Sequence, residues 1–224
     1  TQPVTEFDLR IETAVRKVLE REFPEHGVVG EEFPAHDPEA EFVWVIDPID
    51  GTRAFAAGVP LFTTLIALCH RGKPVLGVID ASVTGDRWEG VEGLPSTLNG
   101  APIRGTARVD LAGSIVAWGN PETVDPALAA GAERLRAGTA WRVYCSASYG
   151  YGRVASGSMD IAIEAGGDVT EIDLLAAIPV IQGAGGVCTD GFGAEIRLGG
   201  GASTFVAAGN PELHALALRT LRGG

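Results

Sequence analysis

Two carboxylates on either side of a proline follow an apolar run of strand type. The run is Phe42 to Ile46, and the carboxylates are Asp47 and Asp50. Because Pro48 lacks an N–H and fixes its own φ, we expect the strand to end or bend there. Carboxylates held close together repel each other unless a cation lies between them, and Mg²⁺ prefers oxygen ligands. The pattern therefore indicates a cation site at the rim of a sheet, with a simple acidic turn as the alternative.

Gly51 and Thr52, which come directly after these acids, are suited to the start of a helix. The first N–H groups of a helix have no partner within it, so they can hold a phosphate. A cation beside a phosphate favours phosphoryl chemistry, in which metal ions offset the charge that repels a nucleophile. The chain carries no His- or Cys-based triad pattern that would favour a covalent mechanism instead.

Two further acidic stretches lie far from this one along the chain. Gly30 to Glu32 ends an upstream apolar stretch, and Asp173 lies at the start of a downstream helical pattern. An acid that begins a helix is commonly only a cap or a partner of the helix dipole. Taken alone, Asp173 would be given that structural role.

Together these stretches resemble the inositol monophosphatase superfamily, the Mg²⁺-dependent, lithium-sensitive phosphatases. The resemblance is carried by Trp44 to Thr52, by Gly30 to Glu32, and by Ile172 to Ala177 followed by the glycine-rich residues 183–186. The motifs occur in the family order over nearly the whole chain, which changes the interpretation of Asp173 to a metal ligand. Inhibition by lithium is an expectation from the resemblance.

The resemblance implies a fold of the α/β class, a layered αβαβα sandwich. Residues 1–108 are expected to form an α+β half with an antiparallel sheet and most of the metal ligands. Residues 109–224 are expected to form an α/β half that contributes Asp173 and substrate contacts. The site is expected in the cleft between the halves.

The resemblance also implies a role for each matched residue. The expected ligands of two or three Mg²⁺ ions are Glu31, Asp47, Asp50, Asp173 and the backbone carbonyl of Ile49. The expected catalytic residues are Glu31, Thr52 and Asp47, of which Thr52 and Glu31 orient and deprotonate a water. The N–H groups of Gly51 and Thr52 are expected to hold the phosphate. The expected substrate contacts are Asp50, Ala147, Glu164 and Asp173.

The flanking residues 58–67, 72–79 and 85–90 resemble the histidinol-phosphatase branch, so a histidinol phosphate-like substrate is predicted. Two features depart from that branch. Ala147 stands where the branch carries an aspartate suited to an amine. Glu164, matched to the leaving-group contact, lies nine residues before Asp173, two more than either the histidinol or the inositol branch shows.

The alternatives follow from these departures. Asp168 or Glu171, in or beside the two-residue insertion, could replace Glu164 as the contact to the leaving group. The substrate could instead be inositol 1-phosphate or another small phosphomonoester such as phosphoadenosine phosphate. A member of the family that binds metal and phosphate without turnover is the alternative that is not an enzyme.

The elements that must position these residues are read from periodicity. Thr5 and Asp8 predict the start of a helix that ends before Pro24. In the family the matching acid lies near a peripheral metal, and a purely structural helix-start acid is the equal alternative. Strands are predicted at 28–29, 42–46, 63–69, 75–79 and from residue 86, with a hairpin turn at Asn99 and Gly100.

In the second half, segments with the apolar pattern of strands alternate with segments of helical periodicity, which favours an α/β arrangement. Strands are predicted at 114–118, 141–145, 159–164, 187–188 and 205–207. Helices are predicted at 53–57, 126–137, 149–156, 173–183 and 211–221, the fourth of them kinked by Pro179.

Composition limits the partners. The 224 residues carry a formal net charge of −12, which argues against nonspecific binding to nucleic acid or to an anionic membrane. Cys69, Cys145 and Cys188 lack ligand-like spacing and indicate buried, reduced thiols of a cytoplasmic protein. No apolar run reaches membrane-spanning length, and no signal peptide is visible. The expected partner is a small phosphorylated metabolite; the resemblance implies a homodimer and a further helix before Thr1.

Overall fold

The structure is a computed structural model that describes residues 5–144, 147–167 and 169–223. The backbone of Ala147 lies in a helix, but its side chain falls outside the described part. The predictions for Cys145 and Asp168, and for the side chain of Ala147, therefore lie outside the described residues.

The first half of the chain forms a seven-stranded sheet whose strands follow one another in chain order. Strand β1 is parallel to β2, and all the other neighbours are antiparallel. The strands are β1 Gly27–Gly30, β2 Phe42–Asp50, β3 Thr63–His70, β4 Lys73–Ala81, β5 Asp86–Val91, β6 Thr97–Leu98 and β7 Ala101–Pro102. Two helices belong to this half, α1 Glu6–Glu22 and the short α2 Thr52–Ala56. The predicted hairpin turn is confirmed, because Asn99 and Gly100 both have positive φ between β6 and β7.

A second sheet of five strands is built in the order β11-β12-β10-β8-β9. Its strands are β8 Ile115–Trp118, β9 Trp141–Tyr144, β10 Ile161–Glu164, β11 Val187–Thr189 and β12 Phe205–Ala208. Strand β8 is parallel to β9 and β10, so the carboxyl ends of these three strands meet at one edge. Helices α3 Ala129–Gly138 and α7 Pro211–Arg222 pack against each other, and α7 covers β12 and β10.

Three helices fill the space between the sheets, namely α4 Ala147–Ala155, α5 Glu171–Leu175 and α6 Ala177–Gly183. Helix α4 contacts β3 and β4 on one side and β8, β10 and β12 on the other, whereas α6 contacts β4, β5 and β11. One hydrophobic cluster joins Trp88, Tyr151, Ile178 and Phe205 across this layer. Helix α1 covers the outer face of the first sheet. The predicted αβαβα sandwich is confirmed, and the division into halves near residue 108 stays a prediction.

The prediction of one kinked helix over residues 173–183 is wrong. The segment forms two helices, α5 and α6, separated at Ala176. The cause is Pro179, which has no N–H to donate to the carbonyl of Leu175, four residues earlier. The break therefore lies upstream of the proline itself. Helix α5 also begins at Glu171, before the predicted start, because Thr170 caps it.

Other predicted boundaries move by a few residues. Helix α3 begins at Ala129, α4 at Ala147 and β10 at Ile161. Within the part of the chain that the structure describes, no helix combines the length and the apolar character that spanning a membrane requires.

Candidate active site

The end of β2 turns two carboxylates toward the middle helical layer. The strand continues through Pro48 to Asp50, but its register with β3 shifts between Asp47 and Asp50. Strand β1 has already ended opposite Ile46, so Pro48 lies where no N–H is needed on that side. Side chains alternate along a strand, so Asp47 shares the face of Val45, which belongs to the core beneath the middle helices.

Asp47, Asp50 and Asp173 form the acidic cluster of the structure. Oxygen atoms of the three side chains all lie within 4.8 Å of one another. Asp47 is 1% exposed, and its Oδ1 is a buried acceptor without a hydrogen-bond partner. Burial, followed by the charges of Asp50, Asp173 and Glu31, raises the pKa of Asp47. The structure thus brings together three of the predicted metal ligands, from two distant parts of the chain.

Asp173 performs the structural role and also joins the cluster. Its Oδ2 accepts hydrogen bonds from the Thr170 N–H at 2.6 Å and the Thr170 hydroxyl at 3.2 Å, which caps α5. Burial raises the pKa of Asp173, and the Thr170 hydrogen bonds oppose that rise. The two interpretations open at the sequence level are therefore compatible, because the cap fixes the carboxylate that faces Asp47 and Asp50.

Asp50 is held from the other side of the cleft by Ser148, at the start of α4. The Ser148 N–H donates to Asp50 Oδ2 at 3.0 Å, and the Ser148 hydroxyl also donates to that oxygen. Burial and the charge of Asp173 raise the pKa of Asp50 to about 6, although hydrogen bonds from Ser148 and the Gly51 N–H lower it. Sequence reasoning missed Ser148, although it directly follows the segment 145–147 that had been compared with the family.

The loop between β2 and α2 positions Ile49, Gly51 and Thr52. The Thr52 hydroxyl is buried and donates to the carbonyl of Ile49 at 3.0 Å. A hydroxyl that donates in this way keeps its lone pairs free to accept a hydrogen bond from water. Gly51 precedes α2 with a φ of 86°, a conformation that glycine adopts readily. Its N–H is directed at Asp50, so the phosphate-binding role of Gly51 stays a prediction.

Glu31 adjoins the cluster without belonging to it. More than a third of its surface is exposed, and it does not line the cleft that contains the three aspartates. Burial of its carboxyl and the charge of Asp173 raise the pKa of Glu31 to about 7, whereas a side-chain hydrogen bond with Asp47 lowers it. The structure therefore places Glu31 beside Asp47, at the edge of the site.

The acids behind Glu31 have structural partners. Asp8 and Thr5 form a capping box at the predicted start of α1, and Asp8 is 1% exposed. The backbone N–H of Glu32 donates to buried Glu12 at 2.8 Å. Among the described residues, Asp8 belongs to no group of three clustered candidate ligands.

Glu164, the predicted leaving-group contact, lies in the cleft despite the insertion that follows it. It is buried at the end of β10 and accepts a hydrogen bond from the Tyr151 hydroxyl at 3.1 Å. Burial raises the pKa of Glu164 to about 8, against hydrogen bonds from Tyr151 and the N–H of Asn120.

The insertion is taken up by two glycines. Gly166 and Gly167, which follow β10, have φ values of 133° and 106°, a backbone that glycine adopts readily, and Glu164 before them remains in the cleft lining. Glu171 accepts a hydrogen bond from the Gly199 N–H at 3.1 Å and does not line the cleft. The structure therefore favours Glu164 over Glu171 as the residue facing a substrate.

The cleft has a volume of about 370 Å³. Its lining combines the acids with glycines, Thr52 and apolar side chains. The lining residues are Asp47, Asp50, Gly51, Thr52, Arg53, Ala54, Ala57, Val59, Gly119, Asn120, Pro121, Glu164, Gly166, Val169 and Asp173. Sequence reasoning missed Gly119 and Asn120, although they follow β8 at the edge where parallel strands end and where ligands commonly bind.

The donor set fits a hard divalent cation. The clustered ligand atoms are carboxylate oxygens, which suit Mg²⁺ and not the softer metals that select sulfur or imidazole. The unpartnered Asp47 Oδ1 is the independent sign of a cation site, because a buried polar atom without a partner is costly. A cation between the three carboxylates would satisfy that oxygen and offset their mutual repulsion.

The sequence profile described as the inositol monophosphatase family matches residues 1–223. The chain is 37% identical to the bifunctional phosphatase IMPL2 of Arabidopsis thaliana over 98% of its own length. It spans about 65% of the length of that plant protein.

A bacterial relative and a solved structure agree with that match. The chain is 33% identical to the histidinol-phosphatase of Chlorobaculum parvum, over 94% of this chain and 85% of that protein. It superimposes on an inositol monophosphatase from Zymomonas mobilis with a TM-score of 0.87 and 34% identity, over 96% of this chain and 82% of the other.

Proposed function

The chain belongs to the inositol monophosphatase family, a family of phosphomonoester phosphatases, and we propose that it hydrolyses a small phosphomonoester with the help of Mg²⁺. The predicted enzyme class, a phosphoric monoester hydrolase, is confirmed at the level of the family. The observation that carries the proposal is the cluster of Asp47, Asp50 and Asp173 at a cleft that Thr52 also lines.

The first role of the site residues is to hold the cation. Asp47, Asp50 and Asp173 would hold the cation, with the Ile49 carbonyl as a further ligand. When bound, the cation supplies positive charge that offsets the phosphate and acidifies a water. Ser148 and Thr170 keep Asp50 and Asp173 in place through their hydrogen bonds.

The water is oriented by the protein. The Thr52 oxygen accepts a hydrogen bond from it, because the Thr52 proton is already directed at Ile49. Glu31, at the edge of the site, accepts the proton that the water releases. Glu164 faces the alcohol that leaves. No covalent intermediate with the protein is needed.

Removal of the cation tests the proposal. We expect hydrolysis of p-nitrophenyl phosphate to be lost in excess chelator and restored by Mg²⁺, because three carboxylates repel one another and the phosphate when no cation is present. The melting temperature should also rise with Mg²⁺, since a ligand that binds only the folded state stabilises it. The temperature shift reports cation binding independently of activity.

Full activity in excess chelator would exclude a cation-dependent mechanism. A melting-temperature shift with Mg²⁺ but no hydrolysis of any phosphomonoester would identify the chain as a member that binds metal without turnover.

For the substrate, we propose a histidinol phosphate-like compound, with inositol 1-phosphate as the alternative. Residues 58–67, 72–79 and 85–90 support the first, whereas Glu164 is matched in both branches and does not discriminate between them. The relatives are named for both activities, so their names do not choose between the two. We further propose a cytoplasmic homodimer that does not bind nucleic acid.

The substitution Ala147→Asp probes this choice. The new acid would restore the charge that the histidinol-phosphatase pattern has at this position. A charged hydrogen bond contributes about 1.5–3 kcal/mol, so kcat/KM for histidinol phosphate should rise roughly 10- to 100-fold. The value for inositol 1-phosphate, which carries no cation, should not rise. An equal rise for both substrates would exclude an amine-binding role for this position.

A further inference from the structure

Tyr151 lies in the middle helical layer, and its hydroxyl reaches Glu164, which lines the cleft. It is 1% exposed, and its ring packs against Phe205 with 4.8 Å between ring centroids. Phe205 is the cross-strand neighbour of Glu164 in the second sheet. The ring is therefore wedged beside the strand that carries Glu164, and its hydroxyl donates to Glu164 Oε1 at 3.1 Å.

The second oxygen of Glu164 occupies the space that the missing side chain of Gly119 leaves open. A Cβ atom built on Gly119 would lie 1.8 Å from Glu164 Oε2, so only a glycine leaves room for the carboxylate. The N–H of Asn120 adds a hydrogen bond from the same loop. Tyr151 on one side and residues 119–120 on the other thus hold Glu164 in one orientation at the cleft.

The donors that hold Glu164 are neutral, so they orient its carboxyl without adding a charge. Burial raises the pKa of Glu164 to about 8, and an ammonium group at the cleft would favour its ionised form. Burial and the charge of Glu164 keep the pKa of Tyr151 above its ordinary value, so the hydroxyl keeps its proton and remains a donor. Asp47, Asp50, Glu164 and Asp173 are the acids that line the cleft within the described chain, and Glu164 is the one outside the cation cluster. A metal ion held by the cluster therefore leaves the Glu164 carboxyl to face the substrate.

We propose that Tyr151 is a positioning residue that sets substrate specificity, holding Glu164 so that it receives an ammonium group on the leaving alcohol. The inference rests on the proposed phosphatase function and its proposed substrate, a phosphomonoester whose alcohol carries an amine, and adds the residue that sets this preference. Tyr151 itself touches no reacting atom. Its effect is confined to the part of the substrate that leaves.

The experiment compares two substrates on matched variants. Histidinol phosphate carries an ammonium group on its leaving alcohol, whereas the leaving group of p-nitrophenyl phosphate offers no hydrogen-bond donor. Tyr151→Phe removes the hydroxyl and keeps the ring against Phe205. Tyr149→Phe is the control, because Tyr149 lies on the same helix but donates to Asp86 outside the cleft.

With Tyr151→Phe we expect KM for histidinol phosphate to rise roughly 10-fold or more, since a hydrogen bond to a charged group is lost. The kcat for that substrate and both constants for p-nitrophenyl phosphate should stay within about twofold, and Tyr149→Phe should match the wild type. In a Glu164→Gln background the Tyr151→Phe change should add no further loss, because the group that it positions no longer carries the charge.

Gly119→Ala gives a second route if Tyr151→Phe folds poorly. It should produce the same selective rise in KM, because the new Cβ displaces the Glu164 carboxylate and leaves Tyr151 intact. Equal losses on both substrates, or no loss on either, would overturn the positioning role. Wild-type hydrolysis of p-nitrophenyl phosphate without hydrolysis of histidinol phosphate would overturn the substrate class alone. Hydrolysis of neither with Mg²⁺ would refute the proposed function, and this inference with it.

Discussion

Asp47→Asn is expected to lower turnover by more than about 100-fold, because outer-sphere partners of metal ligands alone contribute 10- to 100-fold and Asp47 is proposed as a ligand itself. The substitution keeps the shape of the side chain but removes its charge. Apparent affinity for Mg²⁺ should fall together with turnover, and both are measured by titrating Mg²⁺ against the rate of p-nitrophenyl phosphate hydrolysis. Wild-type turnover at low Mg²⁺ would exclude Asp47 as a ligand.

The same variant should stabilise the protein when no cation is present. The pKa of Asp47 is raised by burial and by neighbouring charges, so the folded state binds a proton more readily than the unfolded chain does. Stability contributed by such a group falls as pH rises. The melting temperature of metal-free Asp47→Asn should therefore exceed that of the wild type at alkaline pH, and the difference should shrink as pH is lowered.

Asp110→Asn is the matched control for both measurements. Asp110 is exposed in a loop, and its Oδ1 accepts a hydrogen bond from the Gly113 N–H that an asparagine oxygen can keep. It does not line the cleft. Turnover and the pH dependence of melting should match the wild type. A similar loss of turnover in this control would mean that net charge, and not ligation, accounts for the effect at Asp47.

The sequence predicts the parts of the site that are local. The strand ending in Asp47 and Asp50 could be inferred from an apolar run and a proline, because both effects act within a few residues. The clustering of these acids with Asp173 could not be inferred in this way, since it depends on how the middle helices pack against the first sheet. It was reached through the resemblance to a family.

The residues that were missed act across long separations. Ser148 bonds an aspartate 98 residues earlier, and no local pattern shows such a partner. In the sequence, Tyr151 looks like one more apolar position of an amphipathic helix. The partner of its hydroxyl is known only from the structure, which brings Glu164 beside it. Gly119 directly follows a predicted strand, but the need for its missing side chain appears only beside the buried carboxylate.

The break between α5 and α6 shows the same limit. Pro179 predicts a kink or a break in the helix, and its missing N–H puts that interruption near Leu175. The path of the chain between α5 and α6 then depends on the strand surface of β4 and β5 on which it packs. Ala176, three residues after Asp173, lies against Gly77 of β4, so the shape of the strand surface helps to determine where that ligand is held.

That surface is formed by two glycines, and filling it should have the largest effect on stability. Gly77 on β4 and Gly90 on β5 are cross-strand neighbours. A Cβ on Gly77 would lie 2.0 Å from the carbonyl oxygen of Ala176, and a Cβ on Gly90 would lie 2.4 Å from the carbonyl carbon of Pro179. The neighbours are backbone atoms, which cannot turn aside as the end of a side chain can.

Gly77→Ala is therefore expected to destabilise the protein by about 3 kcal/mol, at the upper end of the usual cost of overpacking. For a chain of this size the melting temperature should fall by roughly 6–12 °C. Because Ala176 must move away from the sheet, Asp173 should shift relative to Asp47 and Asp50, and Mg²⁺ should bind more weakly even where the variant is fully folded. Gly138→Ala is the control: Gly138 is exposed at the end of α3 with nothing within 4 Å of its Cβ position, so its melting temperature should stay the same or rise slightly. A Gly77→Ala protein that melts like the wild type and binds Mg²⁺ equally well would contradict the close packing of the α5–α6 corner on this sheet, and with it the link between that corner and the cation site.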